Sequence, residues 1–175
     1  MRSTHVLIEG KEYLINTDYR VALECVELVN DTTISDYERA IGVVTMLFGE
    51  ECPICEEAIS KVELYLSMGE KESKTEEQVL DFQQDRDFIY SAFMAQYSID
   101  LDIQDLHYEQ FVDLLRGVKN QILNDIVSIR EQDLSDIKDP KHREELRKVK
   151  ERVQLKPKVS TNVSNSAFYR ALEVK

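Results

Sequence analysis

Glycine is scarce here, with five in 175 residues. That is too few for a phosphate-cradling loop, and neither G-x-G-x-x-G nor a G-x-x-x-x-G-K-S/T run occurs. The three histidines, His5, His107 and His142, stand apart from one another, and there is neither an H-E-x-x-H helix nor a G-x-S-x-G elbow. Cysteine is both rare and odd in number, with Cys25, Cys52 and Cys55. An odd count argues against a secreted disulfide framework and for a reducing cytosol. No apolar run approaches the roughly 18 residues that cross a bilayer. The opening Met-Arg-Ser-Thr-His leads into a strand-like segment without a signal-peptide profile. Internal repeats and low-complexity tracts are missing too. These absences point to a soluble intracellular protein that is not an enzyme and uses no cofactor.

Charge and apolar bulk are plentiful. Apolar residues make up 42% and charged residues 32%, the balance of a globular chain with a heavily charged surface. The net charge is −12, unevenly spread. Residues 1–68 hold 13 acids and 5 bases, 69–139 hold 17 and 7, and 140–175 hold 4 and 10. An acidic body repels nucleic acid and anionic membrane, whereas the basic end suits an acidic surface, its own or a partner's.

The patterning predicts a mainly α fold: a helical domain with a short N-terminal β-hairpin, a basic C-terminal helix and a loose tail. His5-Val-Leu-Ile and Tyr13-Leu-Ile read as strands joined by Glu9-Gly-Lys-Glu, with Gly10 turning the chain. Asn16-Thr17-Asp18 offers N-cap side chains to a first helix bearing Ala22, Val26 and Val29. Ser35-Asp-Tyr-Glu38 matches a capping box and opens a second helix with an apolar stripe of Ile34, Tyr37, Ile41, Val44 and Phe48. Pro53 suits the first turn of a third helix, lined by Ile54, Ala58, Val62 and Leu66. Residues 69–77 read as an exposed linker, dividing 1–68 from a second helical half over 78–139. In that half Phe82, Ile89, Phe93 and Tyr97 share a face, and Ser98-Ile-Asp100 breaks the helix. Asp102 is placed to cap a helix bearing His107, Phe111, Leu114, Leu115 and Val118, with Asp105 in its first turn. Ile122, Ile126, Val127 and Ile129 mark another helix. Asp139-Pro140 starts the last, anchored by Leu146, Val149 and Val153. The segment 140–175 combines this basic helix with a flexible tail in which Phe168, Tyr169 and Leu172 are the docking candidates.

Few constellations invite chemistry. Cys52-Pro-Ile-Cys55 is the C-P-x-C spacing of redox enzymes, but it follows a helix rather than the strand a redox site needs. As a zinc site the pair is half complete, with Cys25 a possible third ligand. The plainer reading is two reduced thiols at a helix cap, Cys55 packed inward. Asp85 with Asp87, or Asp100 with Asp102, are more simply caps and a solvated acidic face than cation ligands. His107 reads as a semi-buried structural histidine rather than a base. The basic run through Arg147, Lys148, Lys150 and Arg152 is the candidate protein-binding footprint. It lacks the interleaved aromatics of a nucleic-acid site and admits a plain solvated helix with pairs such as Glu144–Lys148.

Several segments resemble a known family. They are Ile15-Asn-Thr-Asp-Tyr-Arg20 after the hairpin, Asp85 with Ile89-Tyr-Ser-Ala-Phe93, Gln96-Tyr-Ser-Ile-Asp-Leu101, Leu106-His-Tyr with Phe111 and Leu114-Leu115, and Ile129-Arg130. Together they resemble a tail-module family of siphophages that infect Gram-positive hosts, over Asn16 to about Leu134. The resemblance picks out Asn16, Asp18, Arg20, Asp85, Phe93, Tyr97, Asp100, His107, Phe111 and Arg130. It departs at Tyr108, where the family has tryptophan, and at Ser98, where glycine is usual; neither change removes a catalytic group. The resemblance implies a gene lying just before the tape-measure gene. It also implies a tail-assembly-chaperone-like homo-oligomer that coats the tape-measure protein, or other tail proteins, in the bacterial host cytoplasm before the tail tube polymerises. The alternatives are a permanent structural tail component of the virion, a thiol-redox or zinc protein using Cys52 and Cys55, and a nucleic-acid-binding regulator.

Overall fold

The computed structural model describes residues 3–68 and 80–156. The sequence-predicted linker 69–77 and the tail with Phe168, Tyr169 and Leu172 lie outside them. The fold is mainly α, with seven α-helices and one two-stranded antiparallel sheet among the described residues. The chain forms two compact units. One contains 3–68 and Asp105–Val112; the other contains 80–104 and 113–156.

The first unit opens with β1 (His5–Ile8) and β2 (Lys11–Leu14), paired so that His5 faces Leu14 and Ile8 faces Lys11. The turn is only Glu9-Gly10, tighter than the four-residue connection expected from sequence. Both residues take positive φ, 48° and 78°, as a two-residue hairpin turn of this hand demands. Lys11 and Glu12 therefore join the strand. α1 (Tyr19–Asn30) starts on Asp18, whose carboxylate accepts the Arg20 amide proton. Its buried residues are Tyr19, Ala22 and Cys25, while Val26 is half-buried and Val29 exposed.

α2 (Asp36–Phe48) has the capping box read from the sequence, Ser35 and Glu38 each satisfying the other's free amide. The apolar stripe is corrected. The helix buries Ala40, Val43, Val44, Leu47 and Phe48, leaving Tyr37 57% and Ile41 36% exposed. Gly42 gives the reason. A Cβ there would meet Leu28 Cδ2 at 2.4 Å, so α1 packs against α2 at the glycine and turns the predicted stripe partly outward. α3 (Glu56–Leu66) begins three residues after Pro53, not at it. Cys52 is buried and its amide bonds the Gly49 carbonyl, closing a turn over 49–52, and the helix starts only after Cys55, its N-cap. The inward face is Ala58, Ile59, Val62 and Tyr65.

In the second unit α4 (Arg86–Tyr97) follows a turn at 82–85, so Phe82 is not helical. Ile89, Ala92 and Phe93 are buried, and Ser98 closes the helix in the left-handed region. α5 (Tyr108–Arg116) is shared between the units: Tyr108–Val112 group with the first and 113–116 with the second. Asp102 does not cap it. The carboxylate pairs with Arg86 instead, and the chain turns through 101–103 before α5 starts at Tyr108. Tyr108 and Phe111 are the buried residues of α5, whereas Leu114 and Leu115 are half-buried. α6 (Gln121–Glu131) is capped by Asn120 and buries Leu123 and Ile126; Ile122, expected inward, is 61% exposed. After a 3-10 turn at Leu134–Asp136, α7 (Pro140–Val153) begins as the Asp139-Pro140 signal predicts. It buries no residue fully, and Val149 is 37% exposed.

Candidate functional site

Each unit holds five of the ten residues singled out by resemblance. In the first unit the cluster grows from a one-residue β-bridge between Asp18 and His107. The Tyr19 amide donates to the Leu106 carbonyl at 3.0 Å, and the Tyr108 amide to the Thr17 carbonyl at 2.8 Å. Asp18 caps α1 and holds the Arg20 guanidinium at 3.1 Å; Arg20 also reaches Asp105 at 3.2 Å and lies over the Tyr19 ring. Asn16 Oδ1 accepts the Asp18 amide at 3.3 Å. Tyr19 stacks on Phe111 with centroids 4.6 Å apart and planes 17° from parallel. His107 has both ring nitrogens occupied. Nδ1 accepts the Glu109 amide at 3.2 Å, which leaves Nε2 to carry the proton and donate to the Ser3 carbonyl at 3.3 Å. This histidine fastens a chain crossing and is not poised as a base. The Tyr108 hydroxyl donates to the Leu66 carbonyl at 2.9 Å.

The second unit centres on a buried ion pair. Arg130 donates to both Asp85 oxygens, at 2.7 and 2.8 Å, with the Arg130 side chain 9% and Asp85 1% exposed. Asp85 also accepts the Asp81 amide, and Arg130 Nε donates to the Val153 carbonyl at 2.6 Å. Buried Asp81 in turn accepts the amides of Gln83 and Gln84, so the turn preceding α4 is wound around two carboxylates. Phe93 meets Tyr97 edge-on at 5.6 Å, and the Tyr97 hydroxyl donates to the Leu114 carbonyl at 2.9 Å. Asp100 takes the Asp102 amide at 2.9 Å, the geometry of a turn and not of a cation site. Sequence reading missed Asp81 and Gln84, and noted Gln96 only as the start of a resembling segment, with no role. Gln84 exchanges two bonds with the Lys156 backbone, and Gln96 bonds the Gly117 carbonyl and the Lys119 amide. Side-chain amides carry no periodic signal, so none pointed to them.

The thiols are set against redox use. Burial pushes the Cys25 thiol up to about 12 and the Cys52 thiol up to about 11, so neither forms a thiolate readily. Cys52 is the inward-facing member of its pair and Cys55 is half-buried, the reverse of the expectation. Among the described residues no three His, Cys, Asp or Glu side chains are placed to hold a metal ion.

The basic side chains of α7 are largely occupied. Arg147 pairs with Glu144 at 2.8 Å and Glu151 at 3.7 Å, and Lys148 lies 3.9 Å from Glu144. Lys150 donates to the Gln132 carbonyl, Arg143 to the Ile137 carbonyl, and Arg152 is exposed.

Several large apolar side chains also stay open. In the first unit Leu7, Leu14, Tyr37 and Leu64 are each more than half exposed. A groove of about 750 Å³ runs between 14–18, 45–49 and 105–107. In the second unit Ile103 and Ile122 are exposed, and a smaller hollow of about 320 Å³ lies between Leu80, Leu115, Leu123 and Val127. Among the described residues no helix is long and apolar enough to cross a membrane.

No curated protein and no solved structure matches the chain. A family model does, the one described as Bacteriophage Gp15 protein, over residues 3–155. That match takes in both clusters and every helix described above, and on it the chain belongs to the Bacteriophage Gp15 protein family.

Proposed function

We propose that this phage protein is a tail-assembly chaperone, which in the host cytoplasm binds the tape-measure protein before the tail tube polymerises around it. One observation carries the reading. The groups that chemistry would use are committed to holding the fold, while large apolar side chains at helical spacing stay uncovered. Asp85 is spent on Arg130, His107 on Ser3 and Glu109, and two of the three thiols are kept neutral by burial. Tyr37 and Ile41 lie one turn apart on the outer face of α2, with half-buried Ile34 before them. A stripe of that kind suits the apolar face of a client helix. Each contact would be weak, and many copies along a long client supply avidity while still allowing removal. The phage family and the N-terminal and central segments resembling tail-module proteins support the same reading.

Co-expression tests it. The chain is expected to keep the tape-measure protein encoded beside it soluble, and Tyr37→Asp with Ile41→Asp to abolish that effect. A tape-measure protein that stays aggregated with the unaltered chain present would defeat the proposal. The second reading, a permanent tail component, draws on the same exposed surface. Mass spectrometry of purified particles separates the two, because a chaperone is absent from virions and a subunit is stoichiometric.

A further inference from the structure

The hairpin leaves one edge of its sheet open. The register pairs His5 with Leu14 and Leu7 with Glu12, and the Ile15 amide bonds the Thr4 carbonyl at 2.9 Å. Hydrogen-bonded pairs alternate along an antiparallel ladder, so Thr4–Ile15, Val6–Tyr13 and Ile8–Lys11 exchange bonds. The N–H and C=O groups of Glu12 and Leu14 consequently point away from β1. Both residues are exposed, Leu14 at 65%. Ile8 is fully buried beneath one face of the hairpin, whereas Leu7 and Leu14 stand uncovered on the other. The groove begins where β2 ends, since Leu14 lines it and 15–18 continue along it. An unpaired edge leading into a groove of mixed apolar and acidic lining is a template for a third strand.

Charge decides the occupant. The described part of the first unit carries 15 carboxylates against 4 Lys and Arg. Around the edge and groove stand Glu9, Glu12, Glu50, Glu51, Asp18 and Asp105, offset locally by Lys11 and Arg20. The same hairpin edge of a second copy would bring like negative charge to this edge and be repelled. We infer that the outer edge of β2, with the groove that follows it, takes up an extended, basic, β-prone segment of a partner chain as an added strand. The inference rests on the polypeptide-binding reading above and names a second contact within it, one that grips backbone where the α2 stripe grips side chains.

The probe is a ten-residue peptide alternating lysine and valine, added to the full-length protein at roughly physiological salt. Two further peptides of the same charge are N-methylated at either the odd or the even positions. Saturable binding is expected, with slowed hydrogen exchange at the Glu12 and Leu14 amides. One methylated peptide should bind at least tenfold more weakly, because its methyl groups occupy the edge that bonds β2, and the other should bind as the parent does. Leu14→Pro removes an outward amide while sparing the ladder to β1, and should weaken the parent peptide to the same degree. Absence of binding, equal binding of all three peptides, or exchange protection on α2 and not β2 would each overturn strand addition. The two readings fail separately. A Leu14→Pro protein that binds the peptide undiminished removes the strand site and leaves chaperoning standing, whereas peptide capture as expected with an insoluble tape-measure protein removes the chaperone role alone.

Discussion

Ser98 shows how much one backbone conformation asks of a side chain. It sits at φ 54°, ψ 33°, donating its amide proton to the Met94 and Phe93 carbonyls at the end of α4. A β-carbon is unfavourable there, and glycine is the usual solution. Ser98→Gly should stabilise the chain by about 1 kcal/mol, seen as a higher urea midpoint at unchanged slope. Thiol reactivity belongs to the same scale. Burial holds the Cys25 and Cys52 thiols protonated, up to about 12 and about 11. At pH 8 iodoacetamide should label half-buried Cys55 first, with Cys25 and Cys52 taking label only when the chain is unfolded or the pH approaches those values. The sign for stability follows. Thiols freed by unfolding ionise near pH 9, so the native state's preference for neutral thiols is fully present below that pH. It is lost as pH climbs toward 11 and 12.

Helices were legible from the sequence where a cap announced them and less so where only apolar spacing did. Ser35 with Glu38, Asp18 and Asp139-Pro140 start α2, α1 and α7 as their side chains dictate, because a capping bond is made within four residues. The buried faces were harder to read. Nothing in α2 alone says that Leu28 packs over Gly42, and that contact is what leaves Tyr37 and Ile41 outside. Long-range polar pairs were invisible to periodicity, and Asp85 with Arg130 came to notice only through resemblance. That pair joins the start of α4 to the end of α6, and through the Val153 carbonyl to the end of α7. Arg130→Leu strands a buried carboxylate and should cost about 3–5 kcal/mol, read as loss of helical signal at lower urea. Replacing both Asp85 and Arg130 with leucine should recover much of that loss, since no charge is then left buried unpaired. A double variant as unstable as the single one would show that packing around the pair, and not the pair's charges, holds these three helices.

The molecule as a whole is acidic at one end of its sequence and basic at the other, and the two ends are used differently. The described part of the acidic first unit sets 15 carboxylates against 4 Lys and Arg, whereas α7 engages Arg143, Arg147, Lys148 and Lys150 within the second unit. Arg147 is bound by Glu144 and Glu151, Lys150 by a carbonyl of Gln132, and Arg143 by one of Ile137. A nucleic-acid footprint needs the opposite, several free cations along one face that can displace counterions from phosphates. Seven Lys and Arg and three Glu over 140–156 look like such a footprint when counted, and stop looking like one once the partners are known. The chain should therefore give no mobility shift with duplex DNA or RNA at about 0.15 M salt, and any association in dilute buffer should vanish well before that point. Retention on duplex DNA above about 0.2 M salt would mean that the α7 ion pairs open to a phosphate lattice more readily than they hold one another. The same measurement on Glu144→Gln with Glu151→Gln serves as the positive control, because freeing Arg147 and Lys148 should raise the low-salt association if those glutamates are what restrain it.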